Sequence, residues 1–333
     1  VRAVVLVGGF GTRLRPLTLT KPKQMLPVVH RPMIDWVVGH LAPFGIDEAI
    51  LSLGYKPDAF IEAFPDSTCA GVRLRYAVEP EPLDTAGAVG FAARDAGIDE
   101  TFLVVNGDVF TDLDVSSLVD FHRARGAEGT LHLTPVDDPS MFGVVPTDDD
   151  GRVIAFIEKP SRDEAPTNLV NGGTYVLEPS VLDRIASDRR VSIEREVFPA
   201  MASEARLYAM STNDYWLDTG TPQQYLQANI DLLSGRRGRA FEGIDPTATV
   251  DPAATVERSV ISSGCRIDAG VIVHDSVLME SVTVETGATV NTSVIGSQAR
   301  IGAGATLDGA VVGDGYVVAP GESLSQTRVP EPA

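Results

Sequence analysis

The chain has 333 residues, 44% hydrophobic and 22% charged, enough to bury a large core and to fold as about two domains. Its formal net charge of −19, from 46 acidic against 27 basic residues, argues against a general binder of nucleic acid or anionic membrane, because both need a basic surface to displace counterions. Cys69 and Cys265 lie far apart with no CxxC and no His/Cys cluster, which argues against a disulfide framework or a structural zinc site. No apolar run reaches the roughly 18 residues of a membrane span. The opening Val4-Val5-Leu6-Val7 runs straight into glycine rather than a cleavage site. These features predict a cytoplasmic protein.

From residue 1 to about 234, short β-branched runs alternate with amphipathic segments. Strands are predicted over 2–7, 48–53, 72–78 and 101–106, and helices over 32–43, 56–63, 85–95 and 114–125. This is the grammar of βαβ units, so residues 1–234 are expected to form a Rossmann-like α/β domain with a mostly parallel sheet. Residues 129–177 add strands, including a hairpin that turns at Asp150-Gly151. A linker is expected over 235–246. Beyond it, aliphatic residues recur at Val250, Val256 and Ile261, then Ile267, Val273 and Leu278, with the set repeating every 17 residues through Val318. Neither a helical period nor strand alternation fits. Hexapeptide-like repeats in blocks of three predict a left-handed parallel β-helix of four coils over 247–321, each aliphatic pointing inward. The tail over 322–333 has little to bury and is expected to be loose.

The first acidic residue is Asp35, and ahead of it stand Arg2, Arg13, Arg15, Lys21, Lys23 and Arg31. For any one of these cations a solvated basic face is the plain reading. The composition of the loop tilts the balance. Gly8-Gly9-Phe10-Gly11-Thr12-Arg13 directly follows a predicted strand, where backbone N–H groups freed by glycine can cradle phosphate oxygens. There is no GxxxxGK[ST], and Leu14 occupies the third glycine position of GxGxxG, so neither familiar phosphate motif applies. Asn106-Gly107-Asp108 places Asp108 at the end of an apolar strand, where open α/β sheets bind ligands. Trp216-Leu217-Asp218-Thr219-Gly220 offers a second carboxylate before a helix. Turn or N-cap roles would also explain either aspartate. Glu158 and Lys159, adjacent on a strand, read on their own as a surface ion pair, and Ser192 as an N-cap with Arg195 and Glu196 facing outward.

The string from Gly8 through Arg13, Pro16 and Lys23 to Pro27 resembles the signature of the sugar-1-phosphate nucleotidyltransferases. In that family a sugar 1-phosphate attacks the α-phosphate of a nucleoside triphosphate and pyrophosphate leaves. The resemblance spans essentially the whole chain, since many members carry a C-terminal hexapeptide β-helix, and Ser192–Pro199 is similar to a stretch found mainly in the mannose-1-phosphate guanylyltransferase branch. It implies that Arg13 grips the leaving pyrophosphate, that Lys23 holds the phosphates at the reacting centre, and that Asp108 and Asp218 bind magnesium. The implied nucleotide site comprises Leu6, Gly8, Gly9, Gly11, Thr12, Arg13, Lys23, Glu79, Pro82, Asp84, Thr85 and Gly87. The implied sugar site comprises Gly107, Asp108, Gly143, Glu158, Lys159, Asn171 and Asp218.

Within the base-recognition loop from Glu79 to Gly87, a carboxylate suits the adjacent N1–H and N2 donors of guanine, whereas a glutamine would better match uracil or thymine. Asp84 departs from the Leu-Gly-Thr-Ala-Gly pattern: it tolerates left-handed backbone better than most residues but adds a charge beside the nucleotide. Gln24 stands where many guanylyltransferases have proline. The leading expectation is GTP plus mannose 1-phosphate giving GDP-mannose, by a homo-oligomer with no nucleic-acid or membrane partner. The alternatives are a glucose-1-phosphate thymidylyl- or uridylyltransferase and a non-catalytic sugar-nucleotide-sensing subunit; retention of Arg13, Lys23, Asp108 and Asp218 together argues against the latter. An acyltransferase β-helix ranks last, with His274 as the one histidine in the coils.

Overall fold

In the computed structural model, which describes residues 1–331, the predicted strands stand where hydrophobic patterning put them: Ala3–Leu6, Glu48–Leu53, Val72–Val78 and Phe102–Asn106. The helices Met33–Leu41, Asp58–Ala63 and Asp84–Asp95 lie between them, and Val115–Arg125 follows the last. Helix Asp84–Asp95 turns a face of small residues, Ala86, Val89, Ala92 and Ala93, into a core shared with Val4, Ile50, Val104, Tyr175 and Phe198.

The described residues fall into two compact units that are not successive along the chain: Val1–Gly9 with Ile34–Trp216, and Phe10–Met33 with the chain from Leu217 onward. The first carries a ten-stranded mixed sheet. Its four early strands are mutually parallel, in the order Phe102–Asn106, Ala3–Leu6, Glu48–Leu53, Val72–Val78. Strand Leu169–Leu177 then adds antiparallel to Phe102–Asn106 and carries Gly129–Pro135 and Gly143–Val144, also antiparallel. Parallel pairing needs a crossover of a dozen or more residues, usually a helix, and between residues 129 and 177 the strands follow one another without an α-helix. Only after helix Phe198–Ser203 does a strand, Leu207–Ser211, return parallel to Gly129–Pro135. The sheet is therefore parallel at its centre and mixed overall. The expected Asp150-Gly151 hairpin reduces to a single antiparallel bridge between Thr147 and Val153, with Gly151 at φ 79° in the turn.

The second unit is built on three five-stranded parallel sheets, the arrangement that a left-handed parallel β-helix requires. One runs Thr249–Val250, Arg266–Ile267, Thr283–Val284, Arg300–Ile301, Val317–Val318, each strand one repeat beyond the last. The inward aliphatics Ile267, Val273, Leu278, Val290 and Leu307 are buried as predicted. Ser259, Ser276 and Ser293 form a buried ladder at one corner: Ser276 N donates to Ser259 Oγ (3.0 Å), Ser293 N to Ser276 Oγ (3.0 Å) and Ala310 N to Ser293 Oγ (2.9 Å). Each hydroxyl thereby satisfies a buried backbone amide of the next coil.

Two boundaries differ from expectation. Pairing with the β-helix begins inside the predicted linker 235–246, at the bridge from Ile244 to Ile261. The stretch expected to be a loose tail forms most of a fifth coil, with strands Ser323–Ser325 and Arg328–Val329 paired to the coil before. Side-chain hydrophobicity there is low, apart from Leu324 and Val329. The ladder of backbone hydrogen bonds supplies the order instead. Residues 332 and 333 of that tail lie outside the described residues. Cys69 and Cys265 are buried free thiols, and no helix among the described residues is long and apolar enough to cross a membrane.

The inward and outward positions of the β-helix should respond very differently to truncation. Leu307→Ala, at a fully buried position, is expected to destabilise the chain by about 2–5 kcal/mol in urea unfolding. The same change at exposed Ile272 should stay within about 0.5 kcal/mol. Equal effects would refute the inward assignment.

Candidate functional site

In the first unit, the parallel strands end along one edge. Register pairs Leu6 with both Ser52 and Asn106, and Leu53 with Val78, so Gly8, Gly54, Glu79 and Asp108 follow at the carboxyl ends of the sheet. The strand order runs outward from Ala3–Leu6 to Val72–Val78, then returns to Phe102–Asn106 on the other side. That reversal is a topological switch point, where open α/β sheets leave a crevice for ligands. Leu6 and Gly107 flank it, with Gly107 N donating to Leu6 O at 2.9 Å, and Asp108 sits half-buried in the turn that follows. Gly8 and exposed Gly9 lead out of the first strand.

Glu79 is half-buried and held at both oxygens. The Ser52 hydroxyl donates to Oε1 and the Leu83 amide to Oε2, each at 3.1 Å. Burial pushes its carboxyl above the ordinary range, against the pull of those two hydrogen bonds. A Cβ at Gly8 would lie 3.3 Å from Glu79 Oε1, so a side chain there would crowd the carboxylate. Asp84 adopts φ 64°, the left-handed backbone that the glycine it replaces would favour, and its carboxylate accepts from Thr85 N at 2.8 Å.

The loop from Glu79 to Gly87 is tied down by a segment that sequence reasoning treated only as a subfamily marker. Arg190 Nε donates to Pro82 O (2.7 Å), Thr85 Oγ1 donates to Glu194 (2.6 Å) and accepts from Ile193 N (2.9 Å), and the amides of Ala86 and Gly87 donate to Val191 O. Ser192 is the N-cap expected, accepting from Arg195 N at 3.3 Å, and Arg195 and Glu196 are exposed as predicted. The turn it caps is a π-helix, Ile193–Val197. Glu194 was missed. Its signal was spacing: Val197 and Phe198, three and four residues on, are buried, which puts Glu194 on the inner face.

The predicted sugar residues of this unit gather around one bulge. Pairing of Leu169–Leu177 with Gly129–Pro135 slips between Asn171 and Tyr175. There Asn171 Nδ2 donates to Tyr175 Oη (2.8 Å), and its Oδ1 accepts from Gly173 N (3.1 Å). Gly173, at φ 76°, lets the bulge close on the Asn106-Gly107-Asp108 turn: a Cβ would come within 2.7 Å of Asn106 Nδ2. Trp216 Nε1 donates to Gly172 O at 2.9 Å. Gly143 pairs in register with Glu158, and a Cβ there would meet the Phe156 ring at 2.5 Å. Glu158 and Lys159 do form an ion pair, at 3.3 Å, but the acid is partly buried while the amine is exposed on positive-φ backbone. Burial, the charges of Glu194, Glu158 and Asp108 all push the Tyr175 phenol upward, while its hydrogen bond from Asn171 opposes them.

In the second unit, Gly11 takes φ 61° and starts a short 3-10 turn, Thr12–Leu14. Buried Thr18 closes the loop by donating to Gly11 O at 2.8 Å, and Leu14, Leu17 and Leu26 anchor it. Lys23 is buried, at 5% exposure, with its ammonium 3.9 Å from Asp218 Oδ1. The Arg13 guanidinium lies over Gly220: a Cβ there would come within 2.7 Å of Arg13 Nη2 and 3.0 Å of Asp218 Oδ1. Arg13, Lys23 and Asp218, far apart in sequence, are thus brought together, with Thr12 exposed beside them. Helix Pro222–Leu233, capped by Thr221, steadies the far end of the loop: the Tyr225 hydroxyl donates to Pro27 O, and Asn229 Oδ1 accepts from Val29 N (2.9 Å). Gln24 is buried. Asp108 in the first unit and Asp218 in the second each supply hard carboxylate oxygens, the donor type that divalent cations such as magnesium take. Among the described residues no group of three or more His, Cys, Asp or Glu forms a self-sufficient metal cage.

Residues 2–235 match a family model described as nucleotidyl transferase, and residues 242–331 one described as GMPPB C-terminal domain. The mannose-1-phosphate guanylyltransferase of Mycobacterium tuberculosis is 41% identical over 296 residues, which cover 84% of this chain and 81% of that protein. The mannose-1-phosphate guanyltransferase of Schizosaccharomyces pombe is 40% identical over 270 residues, covering 78% and 74%. Among solved structures, the crystal structure of HddC from Yersinia pseudotuberculosis matches with a TM-score of 0.60 at 28% identity, covering 68% of this chain and 97% of that one.

Glu79 should leave a signature in stability. A raised folded pKa means that its contribution is fully present below the unfolded carboxylate pKa and is lost as pH rises through the folded value. Glu79→Gln, which can still accept from Leu83 N, is therefore expected to melt higher than the parent chain at pH 7. The difference should shrink as pH falls toward 4. A variant less stable than the parent at neutral pH would contradict the assignment.

Proposed function

We infer the reaction from one premise: the chain belongs to the nucleotidyl transferase family. It is a nucleotidyltransferase whose substrates are a nucleoside triphosphate and a sugar phosphate, and a divalent cation belongs to that chemistry. Our specific reading is GTP plus mannose 1-phosphate giving GDP-mannose and pyrophosphate, with magnesium held by Asp108 and Asp218. Relatives named for that activity, at about 40% identity, support the substrates, and Glu79 supports the base: each oxygen keeps a lone pair for guanine's N1–H and N2 donors.

The observation that carries the reading is the convergence of Arg13 and buried Lys23 on Asp218, Arg13 meeting it over Gly220 and Lys23 at 3.9 Å. In the proposed reaction an oxygen of the sugar phosphate bonds to the α-phosphorus. The α–β bridging bond breaks, and its electron pair leaves on pyrophosphate. The attacking oxygen is already ionised, so no general base is needed and positioning with charge stabilisation can suffice. Arg13, with a planar fork of donors, suits the departing phosphates. Lys23 suits the α-phosphate, its stem fixed by packing against Gly11. When bound, the cation would neutralise the charge gathering on the phosphates. Glu158, Lys159 and Asn171 are proposed to receive the sugar, with Gly143 leaving room in front of Glu158.

The strand edges at the ends of the β-helix support a homo-oligomer, because a partner copy would cover them. The reading is tested by pyrophosphate release across a grid of nucleoside triphosphates and sugar 1-phosphates, where GTP with mannose 1-phosphate is expected to lead. A clear preference for dTTP or UTP would overturn the base assignment. Asp108→Asn should abolish turnover with the fold intact by circular dichroism. Lys23→Ala should lower kcat/KM by about 10²–10³, the scale of losing one transition-state donor. Near-normal rates in either would displace the residue from its role.

A further inference from the structure

Between Phe10 and Pro27 the loop that carries Arg13 and Lys23 has only two single-turn 3-10 segments, Thr12–Leu14 and Lys23–Met25. Much of its order comes from the last coils of the β-helix, within the same compact unit. Arg328 Nη1 donates to Arg13 O at 2.9 Å and to Arg15 O at 3.4 Å. Pro16 then lies against Gly313, where a Cβ would sit 3.1 Å from the Pro16 Cβ. Farther along, Thr20 Oγ1 donates to Asp314 Oδ2 at 2.5 Å. Lys21 Nζ lies 3.8 Å from that same oxygen and donates to Ser297 Oγ at 3.2 Å. Asp314 is fixed in turn, accepting from Ser297 N at 2.8 Å. The stretch from Arg13 to Lys21 is therefore gripped at its start, middle and end, and Lys23 follows directly.

We propose that the end of the β-helix is a positioning element for the triphosphate-binding loop, with Arg328 and Asp314 as positioning residues for Arg13 and Lys23. The inference rests on the proposed reading that this loop receives the triphosphate. Ordering an irregular loop costs backbone entropy, and a loop ordered before the ligand arrives keeps that cost out of binding. The stretch also lacks carboxylates of its own, so the anion beside Lys21 must come from elsewhere, and Asp314 supplies it. Arg328 is bonded to carbonyls rather than neutralised by them, so it adds positive potential beside Arg13. Because the ordered loop is needed equally before and during the reaction, its loss should appear in KM for the triphosphate more than in kcat.

The full chain tests this with magnesium and GTP, by steady-state kinetics, direct titration of GTP binding without the sugar phosphate, and thermal melting. Arg328→Ala is expected to raise both KM and Kd for GTP by about tenfold, a shift characteristic of lost uniform binding. KM for mannose 1-phosphate should stay within about twofold, since that substrate makes no use of the loop's ordering. Arg328→Lys should recover part of the loss, since an ammonium can still donate to one carbonyl. Asp314→Asn should fall between, keeping an acceptor for Thr20 but no charge for Lys21. Unchanged GTP binding in Arg328→Ala and Asp314→Asn would overturn the inference. So would equal losses for both substrates that track a fall in melting temperature. If Arg328→Ala does not fold, Arg328→Lys and Asp314→Asn decide by the same criteria. Lys23→Ala separates the two levels. If it binds GTP as tightly as the parent chain, the underlying reading fails and this inference with it; if it loses binding while Arg328→Ala does not, this inference fails alone.

Discussion

A buried ammonium needs an anion, and the second unit is arranged around that need. Lys23 is almost wholly removed from water, and a charge so placed is tolerated only with an opposite charge or strong hydrogen bonds at hand. The chain around it supplies no carboxylate before Asp35. Asp218 answers from the far end of the sequence at 3.9 Å. That separation is longer than a direct hydrogen bond and still short enough for appreciable attraction in a partly buried setting. On the proposed reading the looseness is useful. A carboxylate that does not close fully on the lysine can serve a cation, and the ammonium can turn to a phosphate.

The loop that carries Lys23 also departs from the division that the sequence suggests. A break at residue 234 follows from where one sequence pattern stops and another begins, but the loop Phe10–Met33 belongs with the chain from Leu217 onward. Arg328 reaching a backbone carbonyl, or Thr20 reaching Asp314, leaves no periodic trace in the residues. Such contacts are fixed by tertiary placement alone. The period that was legible belongs to side chains: the inward aliphatics of the coils, and strands such as Glu48–Leu53 and Val72–Val78, whose ends match their hydrophobic runs residue for residue. Order supplied by the backbone was not legible. The fifth coil, with Leu324 and Val329 as its main apolar contacts, and the two-residue strand Gly143–Val144 are held by ladders that side-chain patterning does not report.

Much of the site was nonetheless readable, because its residues carry chemistry that turns and caps alone do not require in combination. Gly11 at positive φ, Asp84 in the conformation of the glycine it replaces, and Asp108 at a strand's carboxyl end each follow from local rules. Glu194 did not, although its neighbours were noticed. The sequence marks Ser192 as an N-cap with Arg195 and Glu196 outward, as they are, and assigns Glu194 no role. Its partner Thr85 lies 109 residues away, so the hydrogen bond it accepts within the π-helical turn Ile193–Val197 leaves no local mark.

The two units differ in what they offer a ligand, and the difference has a chemical logic. Around the first unit's strand ends stand acceptors: Glu79 in the loop to Gly87, and Asp108, Glu158 and Glu194 near the Tyr175 hydroxyl. Burial together with those three anions keeps that phenol protonated. The second unit's loop offers cations, Arg13, Arg15 and Lys23, with Arg328 behind them. Guanine's donor edge and a sugar's hydroxyls are neutral groups that seek acceptors, while a triphosphate seeks cations. In a chain of net charge −19, a short loop with several cations and no carboxylate of its own is the exception, and it suits phosphate in a way that the acceptors of the first unit do not. Asp218 and Asp314 stand against Lys23 and Lys21 at 3.9 and 3.8 Å, while Arg328, bonded to backbone carbonyls, adds positive potential beside Arg13, where phosphate is expected to bind.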